Sequence, residues 1–325
     1  MLSIAVIGAG RIGRIHARNI AAHPRARLAG ISDPDADAAG NLAAACGAVP
    51  ITLEKAFQAE TVLIASPTPT HADYIERAAV AGCAVFCEKP VDLSAARVRD
   101  CLLAVERAGV PLMVGFNRRF DPSFAALQHR LAAGEIGALE LLTITSRGPA
   151  PPPASYVAQS GGLFRDMMIH DLDMARFLLA EEPVELYAVG SALVDPAIGA
   201  AGDVDTAAVT LRTAKGRICQ ISNSRRATYG YDQRIEVHGA GGLLRAANMT
   251  STTVESAGPN GFATDPALPF FLERYEAAYR AELDTFIAAV LDKAPAGPTG
   301  EDGLRALLLA NAATESVRTG HPVAV

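Results

Sequence analysis

The sequence predicts an α/β chain of two domains, a doubly wound parallel sheet followed by an α+β domain with an open, mainly antiparallel sheet. Three observations predict it. Short apolar runs alternate with helical stretches through the first third. After Asn117 that alternation gives way to closely spaced strand-like runs with few helices between them. The length, 325 residues, is about twice that of a typical domain.

The first strand is the apolar run Ser3–Ile7, and apolar residues recur at helical spacing over Ile12–Ala22. Strands at Leu28–Ser32, Thr61–Ala65, Ala84–Cys87 and Leu112–Gly115 then alternate with helices at Asp35–Ala45, Ala72–Ala81 and Ser94–Ala108. Such alternation marks a parallel sheet covered on both faces, and right-handed crossovers leave few topologies open. The second part begins with a helix at Pro122–Ala133 and a strand at Leu139–Ser146. The breaker cluster GPAPPPAS (148–155) precedes a short amphipathic helix over Asp166–Leu179. Strand-like runs follow at Val184–Ala192, Thr206–Thr213, Gly216–Ser222, Arg234–Gly239 and Gly242–Asn248, some divided by paired breakers such as Gly241-Gly242. In Thr206–Thr213, Val209 and Leu211 alternate with Thr210 and Arg212, as in a sheet with one apolar face. Helices over Leu272–Leu291 and Gly300–Thr319 close the chain. The expected domains are residues 1–118 and 119–325.

Composition excludes several functions. Half the residues are apolar and 20% are charged, a globular balance. The net charge of −6 leaves no basic field for a nucleic-acid backbone. No apolar run approaches the ~20 residues of a membrane span. The opening MLSIAVIGAG lacks a basic flank and is interrupted by Arg11 and Arg14, which disfavours a secretory signal and points to the cytoplasm. Five scattered cysteines, with no zinc spacing between Cys83 and Cys87, read as reduced thiols, and no metal is expected.

Gly8-Ala9-Gly10-Arg11-Ile12-Gly13 fits G-x-G-x-x-G between a strand and a helix, the dinucleotide-binding loop of a Rossmann domain. Gly8 permits the tight turn, Gly10 lets backbone approach a pyrophosphate, and Gly13 lets helix pack on strand. The amides of the helix N-terminus, including those of Arg11 and Ile12, then face the phosphates. Asp33 ends the second strand 20 residues after Gly13, where a carboxylate accepts from a ribose 2′-hydroxyl. It also repels a 2′-phosphate, and no Arg or Lys occurs in 34–39, so NAD is expected over NADP. An ordinary βαβ turn followed by a loop aspartate would look the same in isolation.

Two further constellations carry chemistry. Cys87-Glu88-Lys89-Pro90 ends a strand at the carboxyl edge where open α/β sheets bind ligands. Lys89 is there either a solvated ammonium or a group set over the cofactor, and Pro90 favours an extended backbone at Lys89. In GGLFRDMMIHDLD (161–173), Asp166 and His170 lie four apart, so one helical face presents both. Such a pair is either a helix-surface contact, with Asp166 an N-cap, or a carboxylate that orients an imidazole base.

Together GAGRIG, SPTPTH (66–71), EKP (88–90) and GGLFRDMMIHDLD resemble the glucose–fructose oxidoreductase/inositol dehydrogenase/rhizopine-catabolism (Gfo/Idh/MocA) family nearly end to end. Within the family the sequence is most similar to inositol 2-dehydrogenases, which oxidise the axial hydroxyl of myo-inositol to a ketone with NAD. Further likenesses are GFNRRFD (115–121), YGYD (229–232) and the ERY…Y stretch at 273–279. The resemblance implies catalytic roles for Lys89, which would polarise the reacting hydroxyl, for His170 as its base, and for Asp166 in orienting His170 or binding a neighbouring hydroxyl. It implies that Ser66, Pro67, His71 and Glu88 line the cofactor together with Lys89, and that Arg118 and Tyr231 contact polyol oxygens. It implies a dimer or tetramer formed through the open sheet. Asn117, Met167 and the Pro-rich 148–160 loop depart from relatives and bear on which cyclitol or sugar is taken. Rival expectations are a sugar or scyllo-inositol dehydrogenase on the same scaffold, and a non-catalytic dinucleotide-sensing regulator. The presence of Lys89, Asp166 and His170 together argues against the latter.

Overall fold

A computed structural model describes residues 1–325, except for the side chain of Ala158. The chain divides into two compact units. The first comprises Met1–Asn117 with Ala278–Leu307, the second Arg118–Ala277 with Leu308–Val325. Residues 278–307 therefore pack with the N-terminal part.

The first unit holds a five-stranded parallel sheet in the order β2-β1-β3-β4-β5. Its strands are β1 (Leu2–Ile7), β2 (Ala26–Ser32), β3 (Thr61–Ile64), β4 (Ala84–Glu88) and β5 (Leu112–Gly115). β1, β3, β4 and β5 are buried along their whole length, as expected of parallel strands covered on both faces. Helices follow at Arg11–Ala22, Ala36–Ala45, His71–Val80 and Ala95–Ala108. Local chemistry sets their ends. Asp35 accepts hydrogen bonds from the amides of Asp37 and Ala38, Ser94 accepts from Arg97 N, and Gly109 closes its helix in the left-handed conformation. The returning segment completes this unit: Phe286 stacks edge-on to Phe86 at 5.5 Å, and the β5 amide of Val114 donates to Pro298 O at 2.8 Å. Chain order reverses between β1 and β3, so the loops leaving their carboxyl ends flank a topological switch point.

The second unit is built on a seven-stranded sheet, β11-β10-β6-β9-β8-β7-β14. These strands are β6 (Leu139–Arg147), β7 (Pro183–Ser191), β8 (Thr206–Thr213), β9 (Ile218–Ser224), β10 (Asp232–Gly239), β11 (Gly242–Ala246) and β14 (Val323–Ala324). All neighbours are antiparallel except β6 and β9. β8 alternates buried Ala207, Val209, Leu211 and Thr213 with exposed Ala208, Thr210 and Arg212. One face is thus apolar and one open. A separate hairpin, β12 (Glu255–Gly258) and β13 (Gly261–Thr264), is exposed throughout. Among the described residues no helix is long and apolar enough to cross a membrane. The α/β class and both sheet types are those the sequence predicts; the hairpin and the short helices Ala154–Ser160 and Pro196–Ala200 are additions.

Candidate active site

In the first unit the glycine loop is built at the limit of steric closeness. Gly8 has φ +110°, and a Cβ there would lie 2.5 Å from Ala65 O, on the loop after β3. A Cβ on Gly13 would lie 1.9 Å from Gly8 O, whereas one on Gly10 would meet nothing within 4 Å. Strand, turn and helix are locked together, and the open side is the one a pyrophosphate needs. The Arg11–Ala22 helix begins with no side-chain cap and no acidic residue in its first turn, which leaves its N-terminal amides suited to an anion. Arg11 is exposed and Ile12 half-buried.

Asp33 is half-buried at the end of β2. Its Oδ2 accepts from Ala9 N at 2.7 Å and its Oδ1 from Asp35 N at 2.9 Å. These two bonds hold the carboxylate beside the glycine loop and use only part of its acceptor capacity. The residues present therefore fit a dinucleotide.

The loops after β3 and β4 are tied together by His71, which is 2% exposed. Its Nδ1 lies 2.7 Å from Pro90 O and its Nε2 2.7 Å from Ser66 O. Burial pushes this imidazole below the usual histidine range, against the pull of both carbonyls. With both ring nitrogens engaged by backbone, His71 ties the two loops to one another. Ser66 Oγ shares a 2.7 Å hydrogen bond with Thr70 Oγ1, and Pro67 is exposed on the same loop. Lys89 is half-buried at the end of β4, and its peptide to Pro90 is cis.

Glu88 turns inward. It is bound by His16 Nε2 at 2.8 Å, and Glu282 Oε1 lies 3.9 Å from the same nitrogen. His16 and Glu282 have no exposed surface, and neither oxygen of Glu282 has a hydrogen-bond partner. Gly115 makes room for the group, since a Cβ there would sit 3.1 Å from the Glu88 carboxylate. Burial, with the neighbouring Glu88 second, holds the Glu282 carboxyl well above the usual carboxylate range. The 2.8 Å contact is a hydrogen bond between His16 and Glu88, and the buried Glu282 carboxyl lies beside it without one. The sequence reading missed this cluster and placed Glu88 against the cofactor.

In the second unit, Asp166 and His170 are both half-buried. The segment is not one regular helix: Phe164–Met168 form a π-helical turn that runs into the α-helix Ile169–Leu179. Single π-helical turns of this kind recur at functional sites. Arg118, only 5% exposed, is paired through Nη1 with the buried Asp171, and its Nη2 reaches Ser146 Oγ at 3.3 Å. Asn223 Nδ2 donates to the other oxygen of Asp171 at 3.0 Å. Burial opposes charge here, yet Asp171 holds the Arg118 guanidinium above its usual value. Tyr231 is also buried, and burial raises its phenol. Two guanidinium nitrogens of Arg118 are thus already committed within the protein, which makes it a support at least as much as a ligand contact.

A glycine-built dinucleotide edge on a parallel sheet, and a second unit offering an aspartate and a histidine on successive turns, define a nucleotide-dependent oxidoreductase. The chain belongs to the Gfo/Idh/MocA oxidoreductase family: the family's NAD-binding Rossmann domain matches residues 2–116 and its C-terminal domain residues 124–245. NAD is its cofactor. The chain is 50% identical over 323 residues to an inositol 2-dehydrogenase of Rhizobium meliloti (strain 1021), with 98% of each chain covered. It superposes on a myo-inositol dehydrogenase of Corynebacterium glutamicum with a TM-score of 0.96 at 48% identity, covering 100% of this chain and 99% of that one. A scyllo-inositol dehydrogenase of Lactobacillus casei, crystallised with NAD(H) and scyllo-inositol, gives a TM-score of 0.93 at 29% identity, with 100% and 99% covered.

Proposed function

We propose that this enzyme oxidises a ring hydroxyl of a cyclic polyol, converting myo-inositol to 2-keto-myo-inositol. The observation that carries the reading is near-end-to-end similarity to inositol dehydrogenases at about half identity, in a chain that keeps Lys89, Asp166 and His170. Bound NAD supplies the hydride acceptor for the carbinol carbon. The other tasks fall to side chains. Lys89 donates a hydrogen bond to the reacting oxygen and stabilises alkoxide charge as it develops. His170 takes the hydroxyl proton, and Asp166 accepts from the imidazole or from a neighbouring hydroxyl. Gly8, Gly10, Gly13 and the amides of Arg11 and Ile12 hold the pyrophosphate, and Asp33 the ribose. Ser66 and Pro67 line the cofactor, while His71 and Glu88 fix the loops that do so. Arg118 and Tyr231 shape the polyol end of the site.

A panel of myo-inositol, scyllo-inositol and D-glucose with NAD, followed by NADH absorbance, tests this reading. Preferential turnover of myo-inositol supports it, and no cofactor reduction with any polyol removes it in favour of a dinucleotide-sensing role. The scyllo-inositol bound to the Lactobacillus casei relative favours one second reading, oxidation of the all-equatorial isomer.

The reading extends to polyol catabolism in the cytoplasm by a homotetramer or dimer. Tyr187, Val189, Ile218 and Leu243 are exposed apolar residues on strands of the seven-stranded sheet, which supports self-association there. Five free cysteines, four of them buried, suit a reducing compartment. Sedimentation of the purified protein tests the assembly.

A further inference from the structure

Arg225 follows β9 in the second unit and is 5% exposed. Its backbone amide donates to Asp205 O at 2.8 Å. Its guanidinium lies between two carboxylates, with Nη1 3.6 Å from Asp166 Oδ2 and Nη2 4.0 Å from Asp203 Oδ2. Both separations exceed the 2.7–3.2 Å of an N–H···O bond, so the link is an ion bridge without hydrogen-bond closure. The Nε and Nη2 atoms of Arg225 are buried with no hydrogen-bond partner. A cation kept in so costly a setting calls for an explanation beyond packing.

The far side of the bridge supplies one. Both oxygens of Asp203 accept from Leu163 N, at 3.1 and 3.0 Å. Gly162 has φ +84°, and a Cβ there would lie 2.6 Å from Asp203 Oδ1, so glycine is what lets this carboxylate close on the chain. Asp203 thus anchors the start of the segment that enters the π-helical turn, and Arg225 faces the carboxylate that the turn displays. The segment is held at Leu163 by hydrogen bonds and at Asp166 by charge.

We propose that Arg225 is a positioning residue that fixes the Asp166 carboxylate toward the polyol. This rests on the role given to Asp166 above. Arg225 acts through Asp166 and touches neither substrate nor cofactor.

A double-mutant cycle tests it. Arg225→Met keeps an unbranched apolar stem and the backbone bond to Asp205 but removes the cation. It is expected to lower kcat/KM for the polyol by about ten- to a hundredfold, the scale of a small misplacement of a reacting group, while KM for NAD stays within about twofold. In an Asp166→Asn background the same change is expected to cost less than about threefold, because the group it positions is already altered. Arg225→Lys should recover part of the loss, and it replaces Arg225→Met in the cycle if that variant does not fold. An equal loss in both backgrounds overturns the proposal.

Hydrogen–deuterium exchange supplies a readout independent of turnover. Amides of 163–170 should exchange about tenfold faster in Arg225→Met than in the wild type, with the β1–β5 sheet unchanged. If the wild type oxidises no polyol, the functional reading fails and exchange alone decides, unchanged protection of 163–170 overturning the role of Arg225.

Discussion

Replacing Glu282 by Gln should make the protein's stability fall less as pH rises from the acid range toward neutrality. Glu282 has no exposed surface, no partner on either oxygen, and Glu88 as a neighbour in the same cluster. Burial first, and that neighbour second, raise its carboxyl well above the ordinary value of 4.5. The sign follows from linkage. A group whose pKa is raised on folding contributes fully below its unfolded pKa, and that contribution is lost as pH climbs toward the folded one. Each pH unit in that interval costs the wild type about 1.4 kcal/mol relative to a side chain with no proton to lose. Between pH 5 and pH 7 the gap between variant and wild type should widen, with that per-unit figure as its ceiling. The chain has no tryptophan, so urea unfolding followed by far-ultraviolet circular dichroism at pH 5, 6 and 7 is the assay. Parallel pH profiles for the two proteins would refute a protonated Glu282, and a variant that loses ground as pH rises would reverse the reasoning.

Three other outcomes are expected. Asp33→Ser or Asp33→Arg should move cofactor preference toward NADP, read as the ratio of kcat/KM with the two coenzymes; unchanged selectivity would remove Asp33 from the ribose. Lys89→Met and His170→Ala should each lower kcat by on the order of 10²–10⁴ while NADH still binds by fluorescence titration, and near-normal turnover in either would dismiss the role of that residue. Gly13→Ala must push a methyl to 1.9 Å from Gly8 O, so NAD binding should be lost along with thermal stability; a variant that binds NAD normally would mean the loop can open at no cost.

Much of the architecture was legible because it is written in local patterns. The buried run Leu2–Ile7, the glycines of 8–13 and the acidic end of β2 all lie within about thirty residues of one another. The hairpin β12–β13 escaped because all eight of its residues are exposed, which leaves no apolar alternation to detect. Its turn signal, Pro259-Asn260-Gly261, was present. The cluster of His16, Glu88 and Glu282 escaped because its members are dispersed along the chain. Its trace in the sequence is a glutamate on the helical stripe shared with buried Ala278 and Phe286, where a charge does not belong. Spacing suggested that Asp166 and His170 share an α-helical face, but a π-helical turn cannot be told from an α-helical one by periodicity. The polyol contact expected of Arg118 comes from the family resemblance alone, and its pairing with the buried Asp171 left no mark in the sequence.

The return of Ala278–Leu307 to the first unit has a practical consequence for anyone dissecting this enzyme. A fragment ending near residue 118 would leave Phe86 without Phe286 and the β5 edge without the carbonyl of Pro298. Bare sheet edges and uncovered aromatics invite aggregation. The nucleotide-binding unit therefore draws on two separated stretches of the chain, 1–117 and 278–307.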